Sequence, residues 1–169
     1  MPVDSFKFLP RIIAAFYQTI EVQPYTDIPW TPLSKPVEAC TFGLVTSAGL
    51  YDRARGKPFD VEKEKRRPTW GDPTFRKLPP ASRLNDIGVS HLHLNVQDIE
   101  RDVNIVYPIE RLQEMARSGV IGAVTDENYS FMGYQGFPPD TSAWENQHGP
   151  AVARAFLNAG VHCVILTPA

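Results

Sequence analysis

The chain has 169 residues, 43% of them hydrophobic, and a net charge of −2. This length suits a single domain with its own core, and so small a charge gives no electrostatic argument for binding nucleic acid or an anionic membrane. No apolar run approaches the ~20 residues of a membrane span, and the N-terminus lacks the apolar core of a signal peptide, so we expect a cytoplasmic protein.

The first 38 residues are predicted to form a helix followed by a proline-rich arm. Apolar residues recur at helical spacing between Asp4 and Glu21, which favours an amphipathic helix that covers the domain or meets another subunit. Pro10 would break this helix or mark its start. Four prolines between Val22 and Glu38 exclude an interior strand there. We therefore predict an N-terminal segment over 1–38 and a separate domain over 39–169.

Beyond residue 38, short β-branched runs alternate with amphipathic segments. Strands are predicted over 39–46, 88–95, 120–125 and 161–167, and helices over 108–118 and 150–158. The connection over 50–86 is rich in proline and charge. It is expected to be nearly structureless, apart from a short extended piece around Arg76, whose side chain favours an exposed salt bridge over a substrate carboxylate. The alternation predicts an α/β fold, a three-layer αβα-like domain with a mainly parallel sheet.

In such sheets, functional loops follow the carboxyl ends of the strands. The site is therefore expected among residues 46–51, 95–104 and 125–133 and whatever follows Thr167. The charged run from Glu62 to Arg67 is interpreted as a solvated face. Cys40 and Cys163 lie at the edges of apolar runs and have no metal-binding spacing, so both are expected to be reduced and buried.

His91 and His93 are the strongest candidates for chemistry. On a strand over 88–95 their side chains would share one face with Asn95. An HxH pair suits metal binding if further ligands come from Asp98, Asp102 or His148. It also suits a polar pocket without metal, or a purely structural role. Because no spacing fingerprint supports the additional ligands, we predict a site without metal.

Several stretches resemble the selenoprotein B family of glycine, sarcosine, betaine and D-proline reductases, including its short stand-alone members. The matching stretches are LVTSAGLYDR at 44–53, GDPTFRKLP at 71–79, SHLHLN at 90–95, DVNIVYPIERLQEMARSGVIG at 102–122, YSFMG at 129–133 and GVHCVILTP at 160–168.

This resemblance implies reductive cleavage of a C–N bond, in which a selenol or thiol attacks and a neighbouring cysteine resolves the adduct. In the family, a selenocysteine or cysteine pair comes directly after the strand equivalent to VILTP. It is therefore expected just beyond Ala169, where this chain ends. Neither Cys40 nor Cys163 replaces the pair by position. A thiol-based electron donor is also implied, with the chain acting as a homo-oligomer or as a partner subunit.

The predicted function is a reductase subunit that binds a small amino-acid-type substrate. His91, His93 and Asp102 are the predicted catalytic residues, since imidazole titrates near neutral pH. Predicted substrate-binding residues are Ser47, Asn95, Asn104, Arg111, Tyr129 and Ser130. Two alternatives remain open from the sequence. One is a non-catalytic partner subunit; the other is a metal or acid/base enzyme, such as a lyase or hydrolase, on the same scaffold.

Overall fold

The computed structural model describes Lys7, residues 9–19 and residues 30–169. The chain divides into two units, Met1–Pro32 and Leu33–Ala169. In the first unit, helix α1 spans Arg11–Gln18 and begins directly after Pro10, where the proline ring predicts a start. Part of the helix predicted over 4–21, and the arm over 22–29, lie outside the described residues. The boundary proposed after residue 38 stays a prediction.

The second unit contains seven strands and four α-helices. In chain order they are β1 (Thr41–Thr46), β2 (Leu50–Asp52), α2 (Val61–Arg66), β3 (Phe75–Leu78), β4 (Ile87–Val89), α3 (Val96–Arg101), α4 (Ile109–Arg117), β5 (Ala123–Val124), β6 (Asn128–Phe131), α5 (Gly149–Asn158) and β7 (Cys163–Thr167). The predicted helices over 108–118 and 150–158 are confirmed as α4 and α5.

The sheet is organised around β1, which has parallel neighbours on both edges. β7 pairs along it from Phe42 to Thr46. On the other edge, β5 pairs with its start and β6 with its end. β3 then adds antiparallel to β6, which makes the sheet mixed but mostly parallel. With helices on both sides, this confirms the predicted α/β fold.

Alternating side chains of β1 serve two cores, because successive strand residues point to opposite faces. Leu44 packs into a cluster with Leu112 of α4. Val45 packs against a second cluster that includes Val152 and Phe156 of α5. The two clusters hold the helix layers against the sheet by burial of apolar area.

Within the strand predicted over 120–125 only the short β5 forms; after a break, β6 follows at Asn128–Phe131, where a loop was expected. The break follows from Asn128, whose Oδ1 accepts a hydrogen bond from Leu44 N at 2.7 Å. Its Nδ2 donates to Thr125 O at 2.9 Å. The amide therefore replaces main-chain partners where the two parallel ladders are interrupted.

The strand predicted over 88–95 is wrong from Ser90 onwards. β4 ends at Val89 and pairs antiparallel with β2, in a two-stranded sheet separate from the main one. Ser90 N donates to Gly49 O at 2.9 Å, and the chain then turns so that Asn95 becomes the N-cap of α3. His91 and His93 therefore do not project from one face of a strand.

The connection over 50–86 is not structureless, since it contains β2, α2 and β3. Arg76 organises it. Its Nε donates to Lys57 O at 2.7 Å, and its Nη2 donates to Pro58 O at 3.2 Å. Its ion pair with Asp72 measures 3.2 Å, and the two side chains are only 17% and 10% exposed. The predicted exposed salt bridge is thus a largely buried one.

Both cysteines are free thiols. Cys40 is fully buried, as predicted, whereas Cys163 is half-buried at the start of the edge strand β7. Within the described ranges, no helix is long and apolar enough to cross a membrane.

Candidate functional site

The carboxyl ends of β1, β6 and β7 meet at one edge of the sheet, and Ser47 joins them. Ser47 N donates to Thr167 O at 3.1 Å, and Ser47 O accepts from Gly133 N at 2.8 Å. Its hydroxyl oxygen accepts from Ala169 N at 2.9 Å and donates to Ala169 O at 3.3 Å. One serine therefore fixes the main chain that leaves β7.

Gly133 permits this close junction. A Cβ at this position would lie 2.8 Å from Ala169 O and 3.0 Å from Ser47 O. Both obstacles are main-chain atoms, so a side chain could be accommodated only by moving the strand ends apart. Tyr134, the next residue, leads from this junction towards the histidines.

His91 lies beside the same edge, because Ser90 hydrogen-bonds to Gly49, two positions after Ser47. The side chain is 8% exposed. Its Nδ1 accepts from His93 N at 3.1 Å. Burial, reinforced by the nearby His93, lowers the pKa of His91 to about 4. His91 is therefore neutral at pH 7, with its proton on Nε2.

His93 is held between a buried carboxylate and an aromatic ring. Its Nε2 lies 3.1 Å from Glu64 Oε1, and the two side chains are 55% and 3% exposed respectively. The Tyr134 ring centroid is 4.7 Å from that of His93. Burial raises the pKa of Glu64, although the neighbouring His93 acts in the opposite direction. A hydrogen-bonded carboxyl–imidazole pair is an arrangement that can serve in general acid/base catalysis.

Glu64 was not recognised from the sequence, where it belongs to the run interpreted as a solvated face. Asp60 caps α2 by accepting from Lys63 N at 2.9 Å. Glu64 then falls one turn after Val61, on the inward side of the helix, and is the buried residue of α2. The Val61–Glu64 spacing was the available signal, but one turn of periodicity is too short to be read against four flanking charges.

Asp102 and Asn104 belong to a different surface. Asp102 Oδ1 accepts from both the main-chain and side-chain nitrogens of Asn104, each at 2.9 Å. These bonds lower the pKa of Asp102. Asn104 Nδ2 also donates to Glu110 Oε2 at 2.6 Å. The three residues line a polar cavity of about 380 Å³ that shares no lining residue with the histidine group.

The other predicted binding residues have partners of their own. Asn95 caps α3, accepting from Gln97 N at 3.2 Å. Arg111 forms a half-exposed ion pair with Glu114 at 2.8 Å. Tyr129 and Ser130 are fully buried in β6, a strand where the sequence analysis expected a loop. Their contact with substrate stays a prediction.

Within the core, Tyr129 and Ser130 have protein partners. Tyr129 OH donates to Glu127 Oε2 at 3.2 Å, and burial raises the pKa of Tyr129 to about 12. Ser130 Oγ accepts from Leu50 N at 2.8 Å and donates to Phe131 O at 3.2 Å. These bonds satisfy buried polar atoms and tie β6 to the start of β2.

Of the predicted site residues, the structure therefore gathers Ser47, His91 and His93 at one edge, with Glu64 and Tyr134 added. We call these five residues the edge site. An apolar cavity of about 590 Å³, lined by Phe131, Trp144 and Leu166 among others, adjoins it at Ser47. Across the described residues, no group of three or more His, Cys, Asp or Glu side chains is placed to hold a metal ion.

Comparison with known proteins bears on this arrangement. The family model described as glycine/sarcosine/betaine reductase selenoprotein B matches residues 10–169. D-proline reductase subunit gamma of Acetoanaerobium sticklandii is 34% identical over 145 residues, covering 85% of this chain. The chain spans about half the length of this curated relative, 55% of it being matched. No solved structure matches. Because the family model takes in both the edge site and the sheet that forms it, the chain belongs to the glycine/sarcosine/betaine reductase selenoprotein B family.

Proposed function

We propose that this chain is a subunit of a thiol- or selenol-dependent reductase and that it binds a small amino-acid-type substrate for C–N cleavage. One observation carries the proposal. The family's selenocysteine or cysteine is expected directly after Ala169. The main chain at Ala169 is hydrogen-bonded to the Ser47 hydroxyl and packs against Gly133. Tyr134 follows Gly133 and contacts His93, which pairs with Glu64. A nucleophile emerging there would meet a proton-transfer pair.

The proposed chemistry has two steps. A selenolate or thiolate attacks the carbon bearing nitrogen, a chalcogen–carbon bond forms, and the C–N bond breaks. The amine departs with the bonding electrons and takes a proton from the Glu64–His93 pair. A second thiolate then attacks the chalcogen, and the released carbon is protonated. The protein is left with a selenenylsulfide or disulfide, which a thiol-based electron donor reduces with two electrons.

The nucleophile is supplied either by residues that follow 169 or by a partner chain. Partner subunits are proposed because the relative is named as a subunit of D-proline reductase. In this proposal His91 contributes as a neutral hydrogen-bonding group, since burial holds its pKa near 4. Proton transfer is assigned to His93, the more exposed of the two histidines.

The test is turnover of the full gene product with its partner subunits, assayed with D-proline, glycine, sarcosine and betaine and a dithiol donor. His93→Gln and Glu64→Gln should each lower kcat at least tenfold, as expected for loss of acid/base catalysis, which contributes ~10²–10⁴-fold. Arg53→Gln is the matched control, because its ion pair with Glu100 is half exposed on both sides.

Circular dichroism and urea unfolding would establish that each variant is folded. Turnover unchanged in folded His93→Gln would remove His93 from the mechanism. Tenfold losses in His93→Gln and Glu64→Gln but not in Arg53→Gln would support the edge site as the place of proton transfer.

A further inference from the structure

The ring of Tyr134 packs on the ring of His93. The two centroids are 4.7 Å apart, and the ring planes are inclined by 44°. The His93 side chain is 55% exposed, and among the residues that the structure describes its hydrogen-bond partner is Glu64 alone. Because the χ2 torsion of histidine is broad, one hydrogen bond restricts rotation of the imidazole only weakly. The Tyr134 ring therefore supplies the second restraint on its orientation.

The main chain of Tyr134 is itself fixed by the loop that follows α2. A Cβ on Gly71 would lie 2.1 Å from Tyr134 O and 2.4 Å from the Cα of Gln135, so the two loops meet there in main-chain contact. The buried Gln135 side chain then joins the loops, since its Nε2 donates to Asp72 O at 3.0 Å and to Met132 O at 2.9 Å. These contacts hold the backbone from which the Tyr134 ring projects.

The far end of the Tyr134 side chain has a second anchor. Its hydroxyl donates a hydrogen bond to Pro68 O, which belongs to the same loop after α2. The helix α2 carries Glu64 as its buried residue. A tyrosine side chain held at both its backbone and its hydroxyl keeps little rotamer freedom. The aromatic ring that packs on His93 and the carboxylate that bonds to it are therefore both tied to α2 and its following loop.

The orientation of the imidazole decides which nitrogen of His93 a ligand meets. Nε2 lies 3.1 Å from Glu64 Oε1, whereas Nδ1 has no hydrogen-bond partner within the described ranges. Rotation of the ring by half a turn would exchange the two nitrogens. A general acid must lie within hydrogen-bond reach of the atom that it protonates, and a misplacement of about 1 Å can slow a reaction roughly 100-fold. Restraint of this ring is therefore a requirement of proton transfer.

We propose that Tyr134 is a positioning residue, whose ring holds the His93 imidazole with Nε2 on Glu64 and Nδ1 directed to the substrate nitrogen. This role rests on the proposed function. As the C–N bond breaks, the imidazolium gives the proton on Nδ1 to the departing amine, which keeps the bonding electrons. The neutral ring retains its other proton on Nε2, hydrogen-bonded to the Glu64 carboxylate. Tyr134 forms no bond to the substrate and acts through His93.

The first test observes the His93 ring directly and needs no turnover. In the full chain labelled with ¹³C-histidine, carbon relaxation gives the order parameter of each histidine ring, and His93→Gln assigns the signal. The order parameter of His93 should fall in Tyr134→Leu, which removes the aromatic face, and stay unchanged in Tyr134→Phe, which keeps it. Trp70→Leu is the matched control, because this ring of the same loop packs against Lys63 at 3.8 Å. An unchanged order parameter in folded Tyr134→Leu would overturn the proposal.

The second test measures turnover of the full gene product with its partner subunits. Tyr134→Leu should lower kcat about tenfold and leave KM within roughly twofold, since proton transfer is affected and substrate binding is not. Tyr134→Phe should restore roughly half of the parent kcat or more. If Tyr134→Phe were as slow as Tyr134→Leu, the assignment to the ring would be refuted. A lower order parameter with unchanged kcat would instead refute proton transfer by His93, so failure of the proposed function is distinguishable from failure of the positioning role.

Discussion

Arg76→Ala is expected to be among the most destabilising substitutions of a charged residue. The guanidinium bonds two carbonyls of the loop before α2, those of Lys57 and Pro58, and its carbon lies 4.1 Å from the Phe59 ring centroid. Removing one member of a buried ion pair costs ~3–5 kcal/mol, because the other charge remains buried. Asp72 would keep three hydrogen bonds, from Asp60 N, Thr74 N and Thr74 Oγ1, so we expect the lower end, about 3 kcal/mol.

The measurement is urea unfolding at pH 7, with the slope m compared between variants. Arg53→Ala is the control, since its ion pair is half exposed and 3.4 Å long; it should cost at most about 1 kcal/mol. Arg76→Lys keeps a charge but fewer donors and should fall between the two. If Arg76→Ala cost no more than Arg53→Ala, the conclusion that Arg76 organises this loop would be wrong.

Three further outcomes are expected. The folded-state pKa of His91, about 4, lies below its ordinary value of 6.5. As the pH falls, the unfolded chain therefore takes up a proton at this residue before the folded chain does. Its contribution to stability is full above pH 6.5 and is lost towards pH 4, by roughly 3 kcal/mol; His91→Asn should flatten that part of the stability–pH curve. Gly71→Ala should prevent stable folding, since the new Cβ would lie 2.1 Å from Tyr134 O. At Gly119 a Cβ would meet no atom, but the backbone has φ +75°. Gly119→Ala should therefore lower the free energy of unfolding, measured in urea, by about 1 kcal/mol. Asp102→Ala should lower the urea midpoint slightly by the same measurement, through loss of the cap at Asn104 N.

The elements that local sequence determines were predicted well. α4 follows from Pro108 before its first turn, an acidic residue in that turn and Gly119 after its end. β1 and β7 follow from short β-branched runs bounded by turn residues. These signals lie within one element, so they can be read without knowledge of what the element packs against.

The failures concern residues whose partners lie far along the chain. Glu64 is buried because it meets His93, 29 positions later, and a window centred on Glu64 contains only charges. Ser130 is fully buried, and its hydroxyl accepts from Leu50 N, 80 positions earlier, a partner that its own sequence does not specify. The HxH alternation favoured a strand, and this failure has a local cause: Asn95 caps a helix by accepting from Gln97 N, only two positions later.

The histidine pair shows how partial the sequence signal was. Residue type alone identified His91 and His93 as candidates, and the structure does bring them together, with ring centroids 5.9 Å apart. Their difference in burial could not be predicted, because it depends on Ser90 being tied to Gly49. That difference separates a neutral histidine from one that pairs with a carboxylate.

The central position of β1 has a consequence for synthesis. Both edges of this early strand are completed by much later residues, and even Thr41 N donates to His162 Nδ1, 121 residues further on. At translation rates of about 5–20 residues per second, β7 is synthesised roughly 6–24 s after β1. During that interval its apolar edge is open to other chains. A nascent-chain experiment that stops before residue 161 should therefore yield an aggregation-prone product, and chaperone binding should fall once β7 emerges.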